Sequence, residues 1–113
     1  MSEVDLSDDY ANAKYITNAK SFPEKWQKKS ANFRNERALF SNVELDIPYG
    51  PSDREKMDIF YPKKATKGVF VFIHGGYWRA FDKSSWSHLS LGALDNGFVS
   101  VIPSYRLCPE VSI

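Results

Sequence analysis

The sequence predicts an α/β fold in which a mostly parallel sheet follows an N-terminal helical segment. Residues 69–73 are five consecutive apolar side chains, mostly β-branched or aromatic, and the run stops just before the glycine pair Gly75 and Gly76. Such a run is typical of a strand buried on both faces. A second apolar run, 98–102, follows a helix-like stretch, so the two runs predict a β-α-β unit. The earlier stretch 42–47 alternates between apolar and polar residues, which predicts a strand with one apolar face.

Two helices are expected before the sheet. Residues 7–16 are expected to form a short helix with a serine N-cap and aspartates where the helix dipole favours negative charge. A second helix is expected to begin at Ser21, because Ser21 and Glu24 have the spacing of a capping box with a proline in the first turn. Trp26 and Phe33 are seven residues apart and therefore lie on one face of this helix.

The alternating stretch 42–47 and the following stretch 56–61 predict an antiparallel strand pair joined by a turn-rich loop. The alternation places Leu45 on the apolar face of the first strand. It places the two aspartates of the pair, Asp46 and Asp58, on the solvent face.

The β-α-β unit is expected to contain a loop over 79–83 and a helix capped by Asp82 or Ser84. This helix is expected to run to about residue 96, with Gly97 as its C-terminal stop. The strand 98–102 then pairs with the first apolar run. In one sheet this connection is expected to be parallel and right-handed.

Composition excludes several classes of function. The 113 residues are enough for at most one domain, and a net charge of +1 gives no electrostatic case for nucleic acid or an anionic membrane. We interpret the basic stretch 25–37 as a solvated face, because glutamates interrupt it. Cys108 is the only cysteine, and the two histidines lack metal-site spacing, so no disulfide, metal or cofactor is expected. The acidic N-terminus lacks the pattern of a signal peptide, so a cytoplasmic protein is expected.

The glycine pair belongs to the sequence His74-Gly75-Gly76-Tyr77-Trp78. This sequence resembles the HGGxW motif of the kynurenine formamidase-like and carboxylesterase branch of the α/β-hydrolases. Three flanking segments, 49–51, 57–62 and 104–110, resemble the same family at matching spacing. The resemblance implies an N-terminal part of an α/β-hydrolase fold that is incomplete. It consists of two N-terminal helices, an antiparallel strand pair and the β-α-β unit of a mostly parallel sheet.

The resemblance also implies roles for particular residues. Backbone N–H groups of Gly75, Gly76 and Tyr77 would form part of an oxyanion hole. His74 would organise the loop without acting as the catalytic base, and Trp78 would pack the loop or line the acyl pocket. The N-terminal segment would bring Tyr10 and Asn12 to the substrate pocket, although a plain surface helix is also consistent with the sequence. The full-length parent would hydrolyse an aryl formamide or a small carboxylic ester, a small-molecule substrate, through an acyl-enzyme on a serine.

The chain departs from this family in one respect. Such enzymes carry a nucleophilic serine within Gly-x-Ser-x-Gly, followed by an acid and a histidine, and this sequence has no such elbow. We therefore interpret 1–113 as a partial domain, with 1–40 as a helical segment and 41–113 as the start of the sheet. The nucleophile, acid and base are expected beyond Ile113. Two alternatives stay open: the glycine pair is only a tight turn, or the chain is a truncated or degenerate non-catalytic product that acts by protein interaction.

Overall fold

The computed structural model describes residues 3–39, 42–64 and 66–113. Its centre is a four-stranded mixed sheet with the order β1-β2-β4-β3. The strands are β1 (Val43–Pro48), β2 (Lys56–Phe60), β3 (Gly68–Val71) and β4 (Phe98–Pro103). As predicted, β1 and β2 are antiparallel and β3 and β4 are parallel, while β4 also pairs with β2 in the antiparallel sense. The predicted boundary between 1–40 and 41–113 falls on Phe40 and Ser41, which lie outside the described residues.

The N-terminal helices differ in how well they match expectation. Helix α1 (Phe22–Ala38) has the predicted start, with Ser21 at the N-cap and a proline in the first turn. The capping-box bond is not made, because the Ser21 hydroxyl donates instead to the carbonyl of Asn18 at 2.8 Å. The predicted helix over 7–16 is a turn followed by the 3-10 helix Asn12–Tyr15.

The predicted helix after the glycine pair is broken into three short pieces. These are the 3-10 helices Lys83–Ser85 and Ser87–Ser90 and the α-helix α2 (Leu91–Asp95). Asp82 caps the first piece as predicted, by accepting the N–H of Ser84 at 2.7 Å. Hydrogen bonds of serine residues to other elements interrupt the helix in the remaining part of the segment. The Ser87 N–H donates to the Ser30 hydroxyl of α1 at 2.7 Å.

The hydrophobic core lies between α1, α2 and one face of the sheet. Phe33 of α1, Phe60 of β2, Leu94 of α2 and Ile102 of β4 form it. The rings of Phe33 and Phe60 are 5.4 Å apart. The core therefore fixes α1 against the two strands in the middle of the sheet.

Strand β3 is not buried on both faces, which corrects the sequence prediction. Val69 is 63% exposed and Val71 is 52% exposed. The reason is topological, because β3 is at the edge of the described sheet and pairs with β4 alone. The prediction for Leu45 is also wrong: a bulge between Glu44 and Ile47 breaks the alternation of β1, and Leu45 is exposed.

Asp58 is buried rather than on the solvent face. Its Oδ1 lies 2.8 Å from Nζ of Lys83 and accepts the N–H of Asp46 at 2.9 Å. Asp46 is exposed as predicted, but its own carboxylate lies 2.6 Å from the same ammonium. Desolvation opposes the charge on Lys83, and the hydrogen bonds to Asp46 and Asp58 outweigh it, so the pKa of Lys83 is raised. The same hydrogen bond from Lys83 lowers the pKa of Asp46.

Within the described ranges, no helix has both the length and the apolar character needed to span a membrane. A search of the same residues found no group of three or more His, Cys, Asp or Glu side chains placed to hold a metal ion.

Candidate functional site

The turn that follows β3 has an unusual backbone. Gly76, Tyr77 and Trp78 have φ angles of 118°, 54° and 58°, and Phe81 has a φ of 70°. For residues with a side chain, the left-handed region costs roughly 1–2 kcal/mol each. Two such residues in succession therefore need support from their surroundings, and backbone strain of this kind clusters at functional sites.

The turn is supported by hydrogen bonds to its carbonyl groups and to one side chain. Gly76 accepts the N–H of Arg79 at 3.0 Å, and Trp78 accepts the N–H of Cys108 at 2.8 Å. The amide of Asn12, in the N-terminal segment, donates to the Tyr77 hydroxyl at 2.9 Å. The turn is thus fixed to itself, to the loop after β4 and to the N-terminal segment.

Gly76 has no room for a side chain. A Cβ atom there would lie 2.5 Å from the carbonyl oxygen of Ala80 and 2.9 Å from the ring of Phe81. The neighbouring Gly75 has no atom within 4 Å of such a position. Of the glycine pair, only Gly76 is therefore required by the local packing.

His74 is a buried support of the turn. It is 2% exposed, and its ring stacks on Tyr105 with centroids 4.4 Å apart. Burial lowers the pKa of His74, which favours the neutral imidazole. Its Nδ1 lies 2.7 Å from the carbonyl oxygen of Gly75, so the proton is on Nδ1 and is donated to that oxygen. In return, the Tyr105 hydroxyl donates to the His74 carbonyl at 2.7 Å.

The N–H groups of Gly75, Gly76 and Tyr77 donate no hydrogen bond to any described residue. All three residues line a cavity of about 1020 Å³. Tyr10 and Asn12 line the same cavity from the N-terminal segment. The remaining walls are largely aromatic and aliphatic, and include Ile16, Phe22, Trp26, Phe72, Phe81 and Trp86. Three residues whose N–H groups have no described partner thus border a largely apolar space.

Trp78 lies apart from this group. It is 52% exposed and borders a second cavity, of about 450 Å³, whose walls include Met57, Ile73 and Pro103. The structure therefore brings together five of the sequence-predicted residues (Tyr10, Asn12, Gly75, Gly76 and Tyr77) around one cavity. Trp78 lines the second cavity, and the buried His74 supports the turn through its contact with the Gly75 carbonyl.

Two further residues hold the turn, Arg54 and Tyr105, and neither was predicted from the sequence as a site residue. Arg54 donates to the carbonyl of Tyr105 at 2.8 Å and to that of Phe81 at 2.6 Å. Tyr105 lies in a segment that resembles the family, which was the available signal for it. Arg54 lies in a turn-rich loop among other charged residues, where the sequence gives no indication that its side chain turns inwards.

No protein-family model matches the chain. Among curated proteins, the kynurenine formamidases of Danio rerio and Drosophila melanogaster are 31% and 35% identical to it over 68 and 69 residues. These matches cover 58% and 59% of this chain, which spans 23% of the length of each relative.

Solved structures match over more of the chain. A protein from a Silicibacter species, provisionally described as a thioesterase, is 49% identical to this chain with a TM-score of 0.91. The match covers 96% of this chain and 41% of the Silicibacter protein. Esterase B from Lactobacillus rhamnosis covers 82% of this chain and 33% of its own, with 21% identity and a TM-score of 0.55, a likeness in fold alone. The partial coverage fits the N-terminal portion of such proteins. The chain is therefore related to the kynurenine formamidase-like and carboxylesterase branch of the α/β-hydrolases, and its mixed α/β structure is part of that fold.

Proposed function

We propose that residues 75–77 supply backbone donors to the oxyanion hole of a longer hydrolase, which cleaves an aryl formamide or a small carboxylic ester through an acyl-enzyme. The observation that carries this proposal is a set of three consecutive residues that line a cavity of about 1020 Å³ and whose N–H groups have no partner among the described residues. The name of the curated relatives, kynurenine formamidase, supports the reaction class.

The chemistry follows from where charge develops. Attack on a carboxyl or formyl carbon converts its carbonyl oxygen into an oxyanion, and fixed N–H donors stabilise that charge without reorganising. The apolar walls of the cavity strengthen this effect, since charge is screened less away from water. Removal of one such donor costs on the order of 10²–10³ in kcat.

In this proposal the chain supplies donors and part of the pocket, and no nucleophile. The sequence has no Gly-x-Ser-x-Gly. The chain also spans only 23% of the length of the curated relatives. The serine, the acid and the histidine base would then come from polypeptide that follows residue 113. A small-molecule substrate and a cytoplasmic location are part of the same proposal.

The test is to determine the coding sequence beyond the codon for Ile113 and to express both the 113-residue chain and any longer product. We expect a downstream Gly-x-Ser-x-Gly followed by Asp and His. A fluorophosphonate probe should label one serine of the longer protein and none of the 113-residue chain. An in-frame stop after Ile113 would instead favour the second candidate, a non-catalytic product. Stoichiometric labelling of a serine in the 113-residue chain would contradict the proposal.

In the longer protein, Gly76→Ala should lower kcat by roughly 10²–10³, because it displaces the donors. Gly92→Ala is the matched control: Gly92 lies in α2, and a Cβ there has no atom within 4 Å. Circular dichroism reports whether each variant is folded. Equal and small losses of kcat in both variants would indicate that the glycine pair only forms a tight turn.

A further inference from the structure

Arg54 lies in the loop between β1 and β2, and its guanidinium joins two other loops. Its Nε donates to the carbonyl of Tyr105 at 2.8 Å, in the loop after β4. Its Nη2 donates to the carbonyl of Phe81 at 2.6 Å, at the far end of the glycine turn, defined as residues 74–81. Two donors with fixed relative geometry thus hold two carbonyl oxygens 24 residues apart in sequence at one point. A lysine has a single nitrogen and lacks this fork.

The Tyr105 contact leads directly to the start of the glycine turn. Tyr105 stacks on the buried His74 ring at 4.4 Å and donates its hydroxyl to the His74 carbonyl at 2.7 Å. His74 in turn holds the carbonyl of Gly75 at 2.7 Å. Only Tyr105 and His74 therefore separate the guanidinium from Gly75.

The Phe81 contact leads to the other end of the turn. Phe81 has a φ of 70°, and its ring lies so close to Gly76 that a Cβ there would be 2.9 Å from it. Its side chain also lines the large cavity. The carbonyl held by Arg54 thus belongs to the residue that packs against Gly76.

The loop that carries Arg54 is itself anchored. The Tyr49 N–H donates to the Glu55 carbonyl at 2.8 Å, and the Glu55 N–H donates to the Ser52 carbonyl at 3.0 Å. The Tyr49 hydroxyl donates to the carbonyl of Ser104, at the end of β4. The guanidinium therefore projects from a closed loop rather than from a free one.

We propose that Arg54 is a positioning residue for the glycine turn, holding both of its ends so that the N–H groups of residues 75–77 keep the geometry that oxyanion binding requires. The oxyanion part of this inference rests on the proposed function. The positioning part depends only on the contacts of Arg54, so the two parts can fail separately.

Hydrogen exchange in the 113-residue chain tests the positioning part. The reporters are two amides that hold the turn, those of Arg79 and Cys108, which donate to Gly76 and Trp78. The reference is the amide of Phe72, which donates to Val101 next to the end of β3. Arg54→Ala should accelerate exchange at both reporters by about tenfold, because hydrogen bonds from a charged donor are lost, and leave the reference unchanged.

Arg79→Ala is the matched control. Arg79 lies in the same turn, is exposed, and makes no side-chain hydrogen bond or ion pair with the described residues. Its variant should keep the wild-type protection factors at both reporter positions, where the protection factor at position 79 is calculated with the intrinsic exchange rate of alanine. Added guanidinium, far below denaturing concentrations, should partly restore protection to Arg54→Ala, which a general loss of packing would not permit.

Unchanged reporters in Arg54→Ala, or equal acceleration in Arg79→Ala, would overturn the proposal. If Arg54→Ala also loses protection at Phe72, the effect is not local and Arg54→Lys is measured instead. Faster exchange of Arg54→Lys at the two reporters alone supports the proposal. Wild-type exchange of Arg54→Lys at the reporters overturns it. In the longer hydrolase, Arg54→Lys should lower kcat more than it raises KM. Accelerated exchange with unchanged kcat would leave the positioning role standing and refute the oxyanion role.

Discussion

An alanine substitution adds the same methyl group at Gly76 and at Gly92, but the space around the two glycines differs. At Gly76 an added Cβ meets the carbonyl oxygen of Ala80 at 2.5 Å, and φ is 118°. At Gly92, in α2, the added Cβ meets nothing within 4 Å. We expect Gly76→Ala to lower the free energy of unfolding by more than about 1 kcal/mol. We expect Gly92→Ala to raise it by up to about 1 kcal/mol, the helix preference of alanine. Urea unfolding measures the free energy of unfolding of both variants. Changes of the same sign would contradict the different environments of the two glycines.

His74 makes stability depend on pH. Burial lowers its pKa in the folded protein, so below the ordinary value of 6.5 the unfolded chain takes up a proton more readily than the folded one. Stability is therefore fully present above pH 6.5 and is lost as the pH falls towards the lower, folded pKa. Burial also lowers the pKa of His88, so two variants are needed.

His74→Asn keeps a neutral donor and cannot titrate. Urea midpoints at pH about 7.5 and about 5.5 should differ less in this variant than in the wild type. His88→Gln should remove only its own share of the difference. An undiminished pH effect in His74→Asn would show that the buried imidazole is not its source.

The limits of sequence prediction are clearest at single residues. The roles proposed for Gly75, Gly76 and Tyr77 rest on a motif, and the sequence cannot give their φ angles. Proline at position 77 would suggest itself from the sequence as a way to remove one N–H. The φ of 54° excludes it, since proline fixes φ near −65°. The burial of Asp58 was not predicted, because its ion-pair partner Lys83 is far away in sequence and only the fold brings the two together.

At the scale of elements, Lys83 connects the bulge of β1, strand β2 and the segment after the turn. Its ammonium lies 2.6 Å from Asp46 and 2.8 Å from Asp58, and its N–H donates to the Ser104 hydroxyl at 3.0 Å. The two carboxylates differ in exposure, because the side chain of Asp58 is 1% exposed and that of Asp46 is 68% exposed. Removal of each charge should therefore have unequal effects.

Lys83→Met should lower the free energy of unfolding by about 3–5 kcal/mol, because it leaves the buried Asp58 carboxylate without a cation. Asp46→Asn should cost about 0–1 kcal/mol, as an exposed pair does. The double variant Lys83→Met/Asp58→Asn should recover part of the first loss. Denaturant titration of the three variants measures the ranking, and equal costs for Lys83→Met and Asp46→Asn would refute it.

Among the elements, α1 was predictable and the helix after the turn was not. The signals of α1 are local: a proline in the first turn and apolar residues at helical spacing. The segment Lys83–Asp95 carries equally local signals, yet its serines bond outside the segment. Ser90 bonds to the hydroxyl of Ser100 in β4 at 2.7 Å, and Ser87 bonds to α1. Periodicity in one segment cannot reveal bonds to others.

For the whole molecule, the main liability is the open side of β3. Val69 and Val71 of β3 are 63% and 52% exposed, and Ile73, two residues beyond the strand, is 68% exposed; the described partner of β3 is β4 alone. An apolar edge of this kind pairs with other chains. We expect the 113-residue chain to associate, and Val69→Lys/Val71→Lys to shift it towards the monomer. Val4→Lys, at a residue 78% exposed outside the sheet, is the control. Sedimentation velocity measures this, and a wild-type monomer at micromolar concentration would contradict it.

The sheet order also sets a sequence of events during synthesis. Strand β4 lies between β2 and β3, so the strand that joins the two halves of the sheet is made last among the described strands. The ribosome adds roughly 5–20 residues each second, so Val71 precedes Phe98 by about one to five seconds. During that interval the β1–β2 hairpin can already pair, while β3 has no neighbour. Chaperones that bind nascent apolar segments would find β3 still unpaired during that interval.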